Sequence, residues 1–149
     1  MAIACAAAHP LHCRAVITES AQAFVEDRTI EGIRAAQREF ADPRQVSRLS
    51  RYHGDKAAWV LSAWIDSWLA SDFADWRLDD DLRRVRSPLL AIHGDSDEYG
   101  SVKHAQRIVD LNSGASTLCI LDECGHVPHR EQPDQVLTLI QRWLVHLAA

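Results

Sequence analysis

No apolar run in the 149-residue sequence reaches the roughly 18 residues that a membrane-spanning helix needs, so no membrane partner is expected. The apolar start, MAIACAAAHP, has no positively charged stretch before it. A secretion signal is therefore not expected, and the expected compartment is the cytoplasm. Positive charge is in the minority: 16 Lys and Arg face 21 Asp and Glu, for a formal net charge of −5. Phosphate recognition needs a basic face, so nucleic acid is not expected as a partner. Cysteine pairs are lacking too. Cys5, Cys13, Cys119 and Cys124 form no C-x-x-C, and their surroundings are apolar or strand-like. Such cysteines behave as small buried hydrophobes in a reducing compartment. His126, His129 and Cys124 lack the paired spacing of a structural zinc site, so neither metal nor cofactor is expected. Internal repeats and low-complexity linkers are absent. At 47% hydrophobic and 25% charged, the remainder is an ordinary globular composition of one-domain length.

Periodicity supplies the elements. Ala2 to Ala8 is an almost wholly apolar helix former, expected to be buried on every side. Ala15 to Ile17, within RAVITES, suits a strand buried on both faces. A helical block follows from about Glu26 to Trp76. In it, Ala57, Leu61, Trp64, Ile65 and Trp68 fall on one helical face. Those tryptophans, with Trp59, are expected to be this block's own core rather than a substrate wall. The run Asp79-Asp80-Asp81 with Arg83, Arg84 and Arg86 is expected to be a solvated face. Leu89 to Ile92 forms a buried strand, Val102 to Val109 a helix, and Ser116 to Asp122 a third strand. Pro133 opens a final helix whose stripe runs through Val136, Leu139, Ile140, Trp143, Leu144 and Leu147. Strands separated by helices predict an α/β fold with three parallel strands, right-handed crossovers and flanking helices.

Ligands of open parallel sheets sit beyond the carboxyl ends of the strands. Two loops occupy such places. HGDSDE (His93 to Glu98) follows the second strand, and ECGH (Glu123 to His126) follows the third. A carboxylate beside an imidazole there would accept its Nδ1–H and leave Nε2 free to take a proton. Gly94-x-x-Asp97 after one apolar strand, followed by Gly125-His126 after the next, resembles the acid–histidine half of the α/β-hydrolase family. Pro128 and the helix in REQPDQVLTLIQRWL are similar to that family's last helix. MAIACAAAHP looks like the helix after its nucleophile elbow, AVITES like its sixth strand, and ESAQAFVEDRTIEGI like the start of its cap.

The resemblance implies a partial α/β-hydrolase fold, with residues 1–25 and 77–149 in the core and a helical cap insertion at residues 26–76. It implies His126 as catalytic base and Asp97 as its acid, with Asp95 and Glu98 as alternatives in the same loop. His129 and Glu131 are expected to be surface or capping residues. Ser20 follows a strand but sits on no elbow. The family presents its nucleophile on G-x-S-x-G, and this sequence contains none. The resemblance therefore implies a nucleophile a few residues before Met1, and a chain with little hydrolase activity alone. The implied activity is hydrolysis of a small organic substrate, an ester or related bond. A second expectation is a non-catalytic remnant or subunit that pairs through an open sheet edge, with another copy or with a complementing N-terminal fragment. A third is a small-molecule binder using the cap pocket.

Overall fold

The structure is a computed structural model and describes residues 1–148. The elements run α1 (Ala2–Ala8), β1 (Val16–Glu19), α2 (Asp27–Glu39), α3 (Pro43–His53), α4 (Ala57–Leu69), α5 (Asp79–Arg84), β2 (Leu89–Gly94), α6 (Lys103–Leu111), β3 (Ser116–Leu121), α7 (Pro128–Glu131) and α8 (Pro133–Ala148). The three strands form one parallel sheet in the order β1-β2-β3. Ile92 of the central strand lies between Glu19 and Cys119. No described helix is long and apolar enough to cross a membrane.

Strand β2 organises the core, and all six of its residues are buried. Its side chains alternate between faces, as a pleated strand requires. Leu89 and Ala91 pack with Ile3, Ala6, Leu82 and Ile108 on one side. Leu90 and Ile92 pack with Leu121, Cys124 and Val136 on the other, where Leu139, Ile140 and Trp143 of α8 close over them. The edge strands differ. Residues of β1 alternate between buried and half-buried, and β3 begins exposed at Ser116 and Thr117. Burial of β1 on both faces is therefore corrected, because the face that carries Ile17 and Glu19 is only partly covered. Helix α1 is corrected likewise. Ile3, Ala6 and Ala7 are buried, whereas Ala2, Ala4, Cys5 and Ala8 are exposed. Alanine is compatible with either environment, so its run does not reveal which face packs.

The acidic and basic run at Asp79 to Arg86 is more than a solvated face. It forms α5, which inserts Leu82 and is followed by Val85, both wholly buried. Its first residue, Asp79, is 7% exposed. Arg107 of α6 grips it with two bonds, Nε at 2.7 Å and a terminal nitrogen at 2.5 Å. That guanidinium also lies 5.5 Å from the Phe24 ring centre. Hydrogen bonding to Arg107 holds the Asp79 carboxyl below the usual carboxylate range. Asp80 and Asp81 pair with Arg83 and Arg84 one turn on, at the surface.

The chain divides into two compact units, Met1–Phe24 with the chain from Arg77 on, and Val25–Trp76. In the second, α4 packs against both α2 and α3. Asp42 caps α3 by accepting the Arg44 N–H at 2.9 Å, with Pro43 as first helical residue. Trp68 meets Phe73 and Trp76 edge-on at 5.3 and 5.6 Å, forming an aromatic cluster. Trp59 is 68% exposed and belongs to no core.

The bidentate tie gives a first prediction. Arg107→Met leaves the buried Asp79 carboxylate without its cation and lowers stability by about 2 kcal/mol at neutral pH, measured by urea unfolding. Because the folded carboxyl lies below its ordinary value, its contribution is full above the carboxylate range and lost as pH falls through it. The gap between variant and wild type therefore narrows on acidification. A gap independent of pH contradicts the assignment.

Candidate active site

The two loops beyond β2 and β3 meet backbone to backbone. Strand β2 ends at Gly94, where an added β-carbon would lie 2.1 Å from the Cys124 carbonyl oxygen and 2.5 Å from that of Gly125. Only hydrogen fits there. The contact is stitched by main-chain bonds, Asp95 N–H to Leu121 O at 3.0 Å and Ser96 N–H to Cys124 O at 2.9 Å. Asp95 adds a side-chain tie, accepting the Cys124 N–H at 3.4 Å and the Ser96 hydroxyl at 2.8 Å. It is thus a loop brace.

Asp97 is the acid that meets the histidine. Its side chain has no solvent exposure. One carboxylate oxygen, Oδ1, accepts the Tyr99 N–H at 2.8 Å and the Gly100 N–H at 3.3 Å. Nδ1 of His126 lies 3.1 Å from Oδ1 and 3.0 Å from Oδ2. Asp95 and Glu98 are exposed, and neither bonds His126. Both Nδ1 neighbours are acceptors, so Nδ1 carries the hydrogen, and in the neutral ring Nε2 keeps its lone pair. The His126 side chain is 35% exposed, and Nε2 makes no hydrogen bond among the described residues. The Tyr99 ring backs the imidazole edge-on at 4.9 Å.

Electrostatics favour the charged partner of each group. Burial pushes the Asp97 carboxyl up, yet the hydrogen bonds from His126 and the Tyr99 N–H outweigh it, and the net shift is down. Burial pushes the His126 imidazole down, yet its bond to Asp97 and the carboxylate charge outweigh that, and the net shift is up. Cys124 is fully buried, and its thiol is pushed up by that burial and then by the surrounding acids. It is held as a thiol, unsuited to act as a nucleophile. No group of three His, Cys, Asp or Glu side chains among the described residues is placed to hold a metal ion.

Three further residues brace the site without a clear signal in the sequence. Glu131, at the end of α7, accepts the Gly125 N–H at 2.6 Å and the Val127 N–H at 2.9 Å, one on each side of His126. These two bonds hold its carboxyl below the ordinary range. Glu131 is thus an exposed capping carboxylate, and the N–H groups it caps belong to the backbone that carries the imidazole. His129 bonds Glu19 at the end of β1, with Nδ1 at 2.9 Å and its own N–H at 3.2 Å from one oxygen. His93, the residue before Gly94, is fully buried, with Nε2 3.0 Å from the Gly100 carbonyl.

No family model matches the chain, and no curated protein sequence matches it. Solved structures do. A bacterial membrane phospholipase A, described as a virulence factor, superposes with TM-score 0.72 at 21% identity over 99% of this chain and 54% of its own. NosK from Streptomyces actuosus gives 0.74 at 18% identity, over 99% of this chain and 65% of its own. An α/β hydrolase from a lagoon-sediment metagenome, Mar Chica, Morocco, gives 0.67 at 18% identity, over 99% of this chain and 57% of its own. The fold is thus a partial α/β-hydrolase fold, and the chain spans less than two thirds of the length of these proteins.

Two outcomes test the geometry. Gly94→Ala forces the loops apart and lowers stability by about 3 kcal/mol or more, read by thermal or urea unfolding; a variant as stable as wild type contradicts the close approach. Asp97→Asn lowers the His126 pKa, read by NMR titration of its ring. The raised folded value means that the Asp97–His126 tie contributes stability on the acid side of the ordinary histidine value. That contribution is lost as pH rises through the folded value. An unshifted His126 titration in Asp97→Asn sinks the pairing.

Proposed function

We propose that this chain carries the acid and the base of a hydrolase acting on a small organic substrate, with an ester or related bond as the scissile group. One observation carries this reading: a buried carboxylate holds Nδ1 of a half-buried histidine whose Nε2 remains uncommitted, at the carboxyl-terminal rim of a parallel sheet. His126 is the general base and Asp97 the group that orients it and stabilises the imidazolium. The sequence contains no G-x-S-x-G, so the reading assigns the nucleophile to a segment outside these residues. Nε2 of His126 takes the proton of that nucleophile as it attacks the substrate. It hands that proton to the leaving group as the scissile bond breaks, then takes one from the water that attacks the covalent intermediate and returns it to the nucleophile as the product leaves. The unit Val25–Trp76 occupies the place in chain order of the family's cap insertion. The structural relatives include a phospholipase, a proline iminopeptidase and a serine hydrolase of carbazole degradation, so they favour no one bond.

A second reading rests on the outer edge of β1. Among the described residues this strand pairs with no strand but β2, and beside it runs a cavity of about 310 Å³ whose lining includes Ala2, Cys5, Ala6, His9, Val16 and Ile17. An open apolar edge favours pairing with a second copy of the chain. Dimers in size-exclusion chromatography with light scattering support this reading, and a monomer at all concentrations removes it.

The catalytic reading is tested with a polypeptide that includes any G-x-S-x-G segment encoded in frame upstream. It is expected to hydrolyse p-nitrophenyl esters, and His126→Ala is expected to lower kcat about a million-fold. Undiminished turnover in that variant overturns the role of His126. The 149-residue chain alone is expected to show no His126-dependent turnover.

A further inference from the structure

We infer that His93 is a positioning residue of the Asp97–His126 pair, clamping the acid loop from beneath through the Gly100 carbonyl. The inference rests on the reading of Asp97 and His126 as acid and base. It begins with the location of His93, at the end of the central strand on the face that packs against α6. Its side chain has no solvent exposure. Nε2 faces two acceptors, the Gly100 carbonyl at 3.0 Å and Oδ2 of Asp97 at 3.5 Å. A nitrogen between two acceptors must carry a hydrogen. Nδ1 is buried and has no hydrogen-bond partner among the described residues, so nothing there would receive a second hydrogen. The ring therefore donates in one direction only, toward the acid loop.

What it donates to determines where Asp97 sits. The Tyr99–Gly100 segment is bonded at each of its main-chain N–H and carbonyl groups. The Tyr99 and Gly100 N–H groups hold Oδ1 of Asp97. The Tyr99 carbonyl accepts from Nε2 of Gln22 at 3.1 Å. The Gly100 carbonyl accepts from His93. Gly100 has no room for a side chain: a β-carbon would lie 2.6 Å from Nε2 of Gln22 and 2.7 Å from Cδ2 of His104. His104 is itself fixed by accepting the Ala23 N–H at 3.2 Å on Nδ1. The loop that presents the carboxylate is thus pinned by Gln22 on one carbonyl and by His93 on the next. Without His93, a buried carbonyl loses its donor and the two N–H groups that grip Oδ1 lose their fixed position. A leucine at this position fills the space without donating. A glutamine places an N–H near the position of Nε2.

NMR of the 149-residue chain tests this without turnover. In wild type, the His93 ring is expected to carry its hydrogen on Nε2, protected from solvent exchange; a hydrogen on Nδ1 overturns the proposal whatever the variants do. In His93→Leu, the His126 pKa is expected to fall toward the ordinary histidine value, with the fold checked by circular dichroism. In His93→Gln, it is expected to return toward wild type. A folded His93→Leu with an unchanged or raised His126 pKa overturns the positioning role. Should His93→Leu fail to fold, a His93→Gln chain that folds but loses the wild-type His126 pKa overturns it equally. Failure of the hydrolase assay with these titrations intact removes the catalytic reading and leaves the clamp in place.

Discussion

The site depends on the passage of two backbones at Gly94. The end of β2 and the turn after β3 come so close there that a β-carbon would overlap the Cys124 carbonyl. From that crossing the Asp97 loop departs on one side and His126 on the other. The separation of carboxylate and imidazole is therefore set by the main chain. Both side chains are short, so little rotamer freedom is lost in bringing them together. Glu131 extends the same logic. It bonds only backbone, and so fixes the loop that holds His126 while leaving the ring itself free.

Three carboxylates are held ionised in this core unit, each by a different set of donors. Asp79 is held by a guanidinium, which keeps its protons under all ordinary conditions, so the pair is a fixed tie between α5 and α6. Glu131 is held by peptide N–H groups, which likewise never exchange charge with it. Asp97 is held by peptide N–H groups and by an imidazole, and the imidazole alone among these donors changes charge near neutral pH. Burial opposes the Asp97 anion, and its donors overcome that opposition. The result is a permanent negative charge behind a ring able to accept a proton.

Much of this arrangement is legible in the sequence. The apolar run of β2, the stripe of α8 and the amphipathic pattern of α4 follow from residue periods alone. The Gly94-x-x-Asp97 and Gly125-His126 offsets select the two residues that the fold brings together. The short elements are harder. Helices α5, of 6 residues, and α7, of 4, are too brief for a helical period to develop. In α5, the charges of the run conceal the buried Leu82 between them. The alanine-rich α1 reads as apolar throughout because a run of near-identical residues carries no pattern to separate its packed face from its exposed one. His93 lies inside an apolar run and looks like its polar end. Its importance depends on Gly100, a partner brought to it by the loop. Glu131 has no local signature, because what it recognises is main chain.

Burial falls off in order along the site. His93 and Asp97 have no exposed side-chain surface, and His126 is about one third exposed. A buried group that changed charge would incur desolvation each time, so a change of charge is least costly at the wet end of the row. The donors that define the carboxylate belong at the dry end, where a hydrogen bond is least diluted by water. The row His93, Asp97, His126 follows that order. A fixed hydrogen bond at the bottom orients a fixed charge in the middle, and the charge tunes the one member at the top that meets solvent.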